Sequence, residues 1–251
     1  METFVSITGL GSGTLLLCLG AIFFAGVVRG FSGFALSAMV MATLAAVLSP
    51  AELIPICWFM ELSASLVLMR SGWRDARRAV ANRIILGGLI GVPIGLLLTT
   101  SAEVTTSRTV ALSVLSALTA LQIANVQVPW LATKSGTYAT GLVAGFATGV
   151  AWIGGMVVAL FVLAQNAPPR EMRATLIYYL LMASVPSIFY LVGFGLMTEQ
   201  ALIRAAVFVP VALCGVFAGR LLFRPSLEQF YKRFCLWLLL ALAGAGLSRT
   251  L

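Results

Sequence analysis

Histidine is absent from this 251-residue chain, and charged residues make up only 10% of it. Without histidine the chain lacks the commonest metal ligand and the commonest acid–base side chain of enzymes. A soluble domain has about a quarter of its residues charged, and it needs them to keep its surface in water. The composition therefore argues against a soluble enzyme and favours a protein whose main solvent is lipid.

Cysteine is also scarce, and the sequence has no motif that would give its cysteines a chemical role. Cys18, Cys57, Cys214 and Cys235 all lie inside or at the edge of apolar runs, and no two form a CxxC. We interpret them as helix-packing residues rather than a disulfide frame or a metal site. Neither HExxH nor GxxxxGK[ST] occurs, so we expect no enzyme activity, no nucleotide-driven pump and no cofactor. The first 28 residues contain no Lys or Arg, so a secretory signal is not evident.

Apolar residues are abundant, at 61% of the chain with a mean hydropathy of +1.05. A membrane-spanning helix needs about 20 apolar residues, and shorter runs suit broken or re-entrant helices. The sequence predicts an all-α integral membrane protein, a helical bundle of about 8 to 10 membrane segments. Its apolar runs cover residues 15–28, 35–48, 53–69, 84–98, 109–126, 137–151, 156–164, 174–197, 201–218 and 234–247.

The two halves of the chain resemble each other, which indicates an internal duplication. Residues 90–98 match residues 214–222 at five of nine positions, with a constant shift of 124. Each of these segments carries a GxxxG pair, and we expect both pairs to serve helix contact. We therefore predict a first membrane repeat over 1–126, a connecting joint over 127–135, and a second repeat over 136–251.

Charges between the apolar runs predict that the two repeats have opposite orientations. The net charge is +8. Basic residues gather in the joints 70–83 and 220–233, whereas the joint that corresponds to each of these in the other half contains few basic residues. Basic joints face the cytoplasm. The repeats would then be inverted, with both termini on the non-cytoplasmic side of the cell's inner (plasma) membrane. We expect the bilayer and a small anion as partners and no nucleic acid, and the sequence is compatible with a homo-oligomer.

The first glycine-rich break between apolar runs is a candidate anion site. Arg29 precedes Gly30-Phe31-Ser32-Gly33. An unwound backbone frees N–H groups at the start of the next half-helix, and these attract anions. We therefore assign substrate binding to Arg29, Gly30, Ser32 and Gly33. Alternatively, Arg29 snorkels to a surface or pairs with Glu61, a mid-helix carboxylate that would either neutralise it or carry a coupling proton.

The second break, Trp152-Ile153-Gly154-Gly155, stands in the matching place of the second half. In an inverted repeat two such breaks approach each other near the membrane midplane. We therefore add Trp152, Gly154 and Gly155 to the predicted substrate site, with simple helix packing as the alternative. Tyr178 and Tyr179 follow this break and are predicted to line the pathway, although anchoring at the membrane interface is an equal alternative for both.

These segments resemble the TauE/SafE sulfite exporter family over nearly the whole chain. Residues 25–34, including the Arg29–Gly33 run, look like its first signature, and residues 149–155 and 170–175 resemble its second-half pattern. Two departures are Met156, where many members carry proline, and Ala35, where a third glycine is frequent. The resemblance implies a secondary transporter of sulfite, sulfonates or related organosulfur anions, with an anion channel of the same architecture as the alternative.

Overall fold

The chain is described by a computed structural model, which covers residues 7–69, 73–124, 129–165, 168–222 and 228–248. Within these ranges the secondary structure is helical, with ten α-helices and one short 3₁₀ turn at Pro129–Ala132 and no strand. The helices are α1 Ser12–Ser32, α2 Leu36–Leu44, α3 Pro50–Met69, α4 Arg78–Ser101, α5 Val104–Ile123, α6 Lys134–Ala151, α7 Gly154–Ala164, α8 Pro169–Gly193, α9 Glu199–Leu222 and α10 Glu228–Leu247.

Each predicted apolar run overlaps one of these helices, so the all-helical prediction is confirmed for the described residues. Six helices in the described ranges are long and apolar enough to cross a membrane, namely α1, α3, α4, α5, α8 and α9. Several helices extend beyond their apolar runs: α4 starts six residues before position 84, and α8 starts five before position 174. The backbone hydrogen bonds of a helix continue into the polar interface, where charged side chains reach water.

Two helix pairs approach so closely that only glycine fits between them. On α4, a Cβ added at Gly91 would lie 2.1 Å from the carbonyl oxygen of Leu142 on α6. On α9, a Cβ added at Gly215 would lie 2.2 Å from the carbonyl oxygen of Phe23 on α1. The expectation that the two GxxxG pairs serve helix contact is confirmed. Each half of the chain thus packs its fourth helix against the first helix of the other half.

Contacts along α3 show how it packs against α9 and α8. At the start of α3, Glu52 accepts a hydrogen bond from Arg204 of α9 at 2.8 Å. Further along, the Trp58 indole donates to the Ser184 carbonyl oxygen of α8 at 3.0 Å, and Glu61 shares a cavity with Leu180. A later position on α3 thus meets an earlier position on α8, so the two helices run antiparallel.

Candidate functional site

The first break is shorter than predicted, because α1 continues through Arg29 and Gly30 to Ser32. Gly30 does not unwind the helix; a Cβ there would lie 2.4 Å from the carbonyl oxygen of Val216, so its role is the close approach of α9. The chain turns at Gly33 and Ala35, whose φ angles of 80° and 76° are left-handed. A left-handed φ is easiest for glycine, so Ala35 adopts a conformation that its Cβ disfavours.

Arg29 is fully buried, and its guanidinium is held by three groups at the break. It lies 3.1 Å from the Glu61 carboxylate, donates a 2.8 Å hydrogen bond to Ser65 Oγ, and donates to the carbonyl oxygen of Gly33. Of the alternatives for this arginine, pairing with Glu61 is therefore confirmed, and exposure at a surface is wrong. A buried charge needs such partners, since unpaired burial is costly.

Glu61 also occupies the helix start at which the sequence predicted substrate. Its carboxylate accepts hydrogen bonds from the Ser37 backbone N–H at 3.3 Å and from Ser37 Oγ at 2.9 Å. The Gly33 N–H donates to the Arg29 carbonyl oxygen, and Ser32 Oγ donates to backbone oxygens on either side of the turn. The start of α2 thus already holds an anion, which is supplied by the chain itself.

The second break opens into a cavity. Trp152 is left-handed at φ 57°, and α7 begins two residues later at Gly154. Trp152, Gly154 and Gly155 line the cavity together with Glu61. The second break and Glu61 therefore share one cavity, and the first break meets this cavity through the Glu61 carboxylate.

Hydroxyl groups supply much of the polar lining. Thr148 of α6 and Tyr179, Ser184 and Ser187 of α8 face the cavity, and the sequence reasoning missed all of them except Tyr179. In the described contacts, Thr148, Ser184 and Ser187 each donate to the carbonyl oxygen four residues earlier, at 2.7–2.8 Å. Because a hydroxyl can turn, each could donate to an incoming anion instead.

The similarity between the two halves of the sequence could have found two of these residues. A shift of 119, which relates Gly30 to Gly149, also places Thr148 at the position of Arg29 and Ser184 at that of Ser65. The same shift places Leu180 at the position of Glu61. In the first half a charged pair fills this place. In the second half the equivalent positions hold neutral side chains, and the charged group that lines the open cavity is Glu61 of the first half.

Tyr178 lies apart from the described lining of this cavity. Its hydroxyl is 3.1 Å from the Asn82 side-chain oxygen, and its ring packs against Trp73 with the centroids 5.4 Å apart. These contacts tie α8 to the start of α4. The neighbouring residue, Tyr179, faces the cavity instead. Successive residues of a helix point about 100° apart, so a shift of one position separates the two environments.

Comparisons with known proteins identify a single family. The family model described as Sulfite exporter TauE/SafE matches residues 18–246, which is nearly the whole chain. Searches with this chain among curated proteins and among solved structures found no match. The matched range includes both breaks, the Arg29–Glu61 pair and every residue named above as lining the cavity. This chain, a multi-pass membrane protein, belongs to the TauE/SafE sulfite exporter family of transporters.

Proposed function

We propose that the chain is a secondary transporter that moves small sulfur-containing anions, such as sulfite or a sulfonate, across the cytoplasmic membrane. The anion binds in the cavity at the second break. The observation that carries this proposal is the start of α7 at Gly154 and Gly155, which opens into a cavity with four hydroxyl side chains. The positive end of a helix dipole and its unpaired N–H groups attract anions.

The equivalent helix start in the first half supports the same chemistry. There, the Glu61 carboxylate receives the Ser37 N–H and hydroxyl. A carboxylate and a sulfonate both present acceptor oxygens to such donors. The first half therefore holds an internal anion at the place where, by symmetry, the second half binds its substrate.

We assign the positive charge of the binding site to Arg29, which acts on the substrate through Glu61. Its guanidinium contacts the Glu61 carboxylate, which in turn lines the cavity. While Glu61 is ionised, the pair is neutral overall. When Glu61 takes up a proton, the positive charge of Arg29 is no longer cancelled, and an anion in the cavity is attracted. Glu61 is thus our candidate for the coupling proton, and Arg29 for the substrate-binding charge.

The transport cycle that we propose uses two inverted repeats. The antiparallel packing of α3 and α8, and the exchange of contacts between α1 and α9 and between α4 and α6, support this arrangement. In it, ten helices form 8 to 10 membrane segments, with α2 and α7 re-entering from opposite faces. Rocking of one repeat against the other would expose the cavity to each side in turn.

Purified protein in liposomes tests the function directly. We expect uptake of labelled sulfite to saturate and to be driven by a proton gradient. Thr148→Val removes one cavity hydroxyl at nearly constant volume, and it should weaken anion affinity about tenfold, since hydrogen bonds to charged groups contribute roughly 1.5–3 kcal/mol. Thr140→Val is the matched control, because Thr140 lies on the same helix and makes the same type of bond to Gly136, outside the cavity.

Two results would count against the proposal. Flux that stays linear with concentration and ignores the proton gradient would favour the anion channel. Equal affinities in the Thr148 and Thr140 variants would move the binding site away from the second break. In Glu61→Gln, we expect sulfite binding to persist while the pH dependence of transport is lost.

A further inference from the structure

Two ion pairs lie at opposite ends of the bundle and occupy equivalent places in the two halves of the chain. Glu52, in the first turn of α3, pairs with Arg204 of α9 at 2.8 Å. Glu171, in the first turn of α8, pairs with Arg77, which immediately precedes α4. The two carboxylates are 119 residues apart, which is the shift already found between equivalent positions of the two halves. Because α3 and α8 run antiparallel, the two ion pairs lie at opposite ends of these helices.

Each ion pair joins the two halves of the chain in the same way. The carboxylate belongs to the third helix of one half, and the arginine stands near the start of the fourth helix of the other half. Arg77 also donates from its side chain to Gln165 at 3.1 Å and from its backbone N–H to Thr175 Oγ1 at 3.0 Å. Arg204 also donates to the Thr8 carbonyl oxygen at 3.2 Å. The same construction at both ends indicates a function that the two ends share.

Both carboxylates stand on helices that line the proposed anion cavity. Glu61 lies nine residues after Glu52 on α3, and Leu180 lies nine residues after Glu171 on α8. At 1.5 Å per residue, each carboxylate is about 14 Å along its helix axis from the cavity. The cavity is thus flanked by one ion pair toward each end of the bundle.

The exposure of these pairs suits contacts that break and form again. The Glu52 side chain is 46% exposed, and those of Arg77 and Glu171 are 41% and 26% exposed. Water can replace the partner of such a group at little cost. The Arg29–Glu61 pair differs, because its side chains are 0% and 5% exposed and their separation leaves a buried charge without a partner.

We infer that these two ion pairs are the gates of the transporter. Breaking Arg77–Glu171 opens the cavity toward the end of the bundle at which α8 starts. Breaking Glu52–Arg204 opens it toward the end at which α3 starts. Both pairs are formed in this structure, so both gates are closed in it. This inference rests on the proposed function, because a protein that moves nothing across the membrane needs no gates.

Side-specific labelling of one cavity cysteine tests the gates without any substrate. Ala183, which lines the cavity, is replaced by cysteine in a cysteine-free background. An impermeant thiol reagent is applied to intact cells and to inverted membrane vesicles, and the ratio of the outside to the inside labelling rate is measured. The start of α3 faces outside in the topology predicted from the charges.

The two gates should respond in opposite directions. Glu52→Gln should raise the labelling ratio roughly fivefold and Arg77→Gln should lower it by the same factor, since loss of a partly exposed pair shifts a two-state equilibrium modestly. Glu52 is changed rather than Arg204, because Arg204 is buried and its loss would also disturb folding.

A neighbouring arginine provides the matched control. Arg78 lies at the same end of α4 as Arg77, but its described contacts are with Trp73, within the first half. Arg78→Gln should therefore leave the labelling ratio unchanged. Exchange of the charges, Arg77→Glu with Glu171→Arg, should return the ratio to that of the unchanged protein, because it rebuilds the pair.

The labelling and transport experiments can fail independently. If Glu52→Gln and Arg77→Gln leave the labelling ratio unchanged, or shift it in the same direction, the gates are overturned even where sulfite is transported. If the two variants shift the ratio in opposite directions but the folded protein neither binds nor moves sulfite or a sulfonate, the gates stand and the proposed substrate fails.

Discussion

At the scale of single residues, the Arg29–Glu61 pair combines two charges with almost no exposure to solvent, at 0% and 5% for the side chains. Removing one partner of a buried pair leaves the other charge unpaired, at a cost of about 3–5 kcal/mol. We expect Arg29→Met and Glu61→Leu each to destabilise the protein strongly, and the double variant to regain most of that loss. These three variants and the unchanged protein form a double-mutant cycle, and thermal unfolding in detergent measures the stability of all four.

The control for this cycle is an ion pair that is more accessible. Arg170 and Asp75 are 2.7 Å apart, and the Arg170 side chain is 83% exposed. Exposed pairs contribute about 0–1 kcal/mol, so Arg170→Met should change the unfolding temperature little. If Arg29→Met were equally mild, the buried pair would not be a stabilising element of the break, and Glu61 would tolerate loss of its partner.

Ala35 is the residue at which the backbone of the first break is strained. Its φ of 76° lies in the left-handed region, which costs a residue with a Cβ roughly 1–2 kcal/mol. We expect Ala35→Gly to relieve that strain and to stabilise the protein by about 1 kcal/mol, after the larger chain entropy of glycine is counted. Ala45, with φ −62°, closes the same helix in a right-handed conformation, and Ala45→Gly should destabilise. Equal responses of the two variants in thermal unfolding would contradict this account.

At the scale of helices, the contact between α4 and α6 depends on particular glycines rather than on glycine content. A methyl group at Gly91 would lie 2.1 Å from the backbone oxygen of Leu142, whereas at Gly88 it would have ordinary contacts. We expect Gly91→Ala to force the helices apart and to destabilise the protein by about 1–3 kcal/mol, as overpacking does. Gly88→Ala should leave stability nearly unchanged. Similar unfolding temperatures for both variants would show that the helices can separate freely.

The positions of the helices were predicted better from the sequence than their ends. All ten apolar runs overlap helices, because a chain in lipid must satisfy its backbone groups internally. The helix ends were predicted less well: α1 continues four residues beyond position 28, through Arg29 and Gly30. A glycine in the sequence is compatible both with an unwound turn and with a close helix contact. Only the position of α9 decides that Gly30 serves contact.

At the scale of the whole molecule, the inverted arrangement can be tested by the accessibility of its joints. In a cysteine-free background, single cysteines replace Arg74 and Lys134, which we place in the cytoplasm, and Glu103 and Glu199, which we place outside. All four positions are exposed. An impermeant thiol reagent added to intact cells should label the last two and not the first two. Labelling after lysis is the control for each position. Labelling of Arg74 and Glu103 from the same side would reject the inverted repeats.

Composition and charge alone were enough to establish a helical membrane protein, because a lipid solvent constrains every apolar run in the same way. Local sequence also marked the two breaks and singled out Arg29, Glu61 and Gly154. Only tertiary structure decided how these residues are used. It closes Arg29 and Glu61 on each other at the first break and leaves the start of α7 open at the second. Pairing and cavities depend on distances between residues far apart in the chain, which no local pattern specifies.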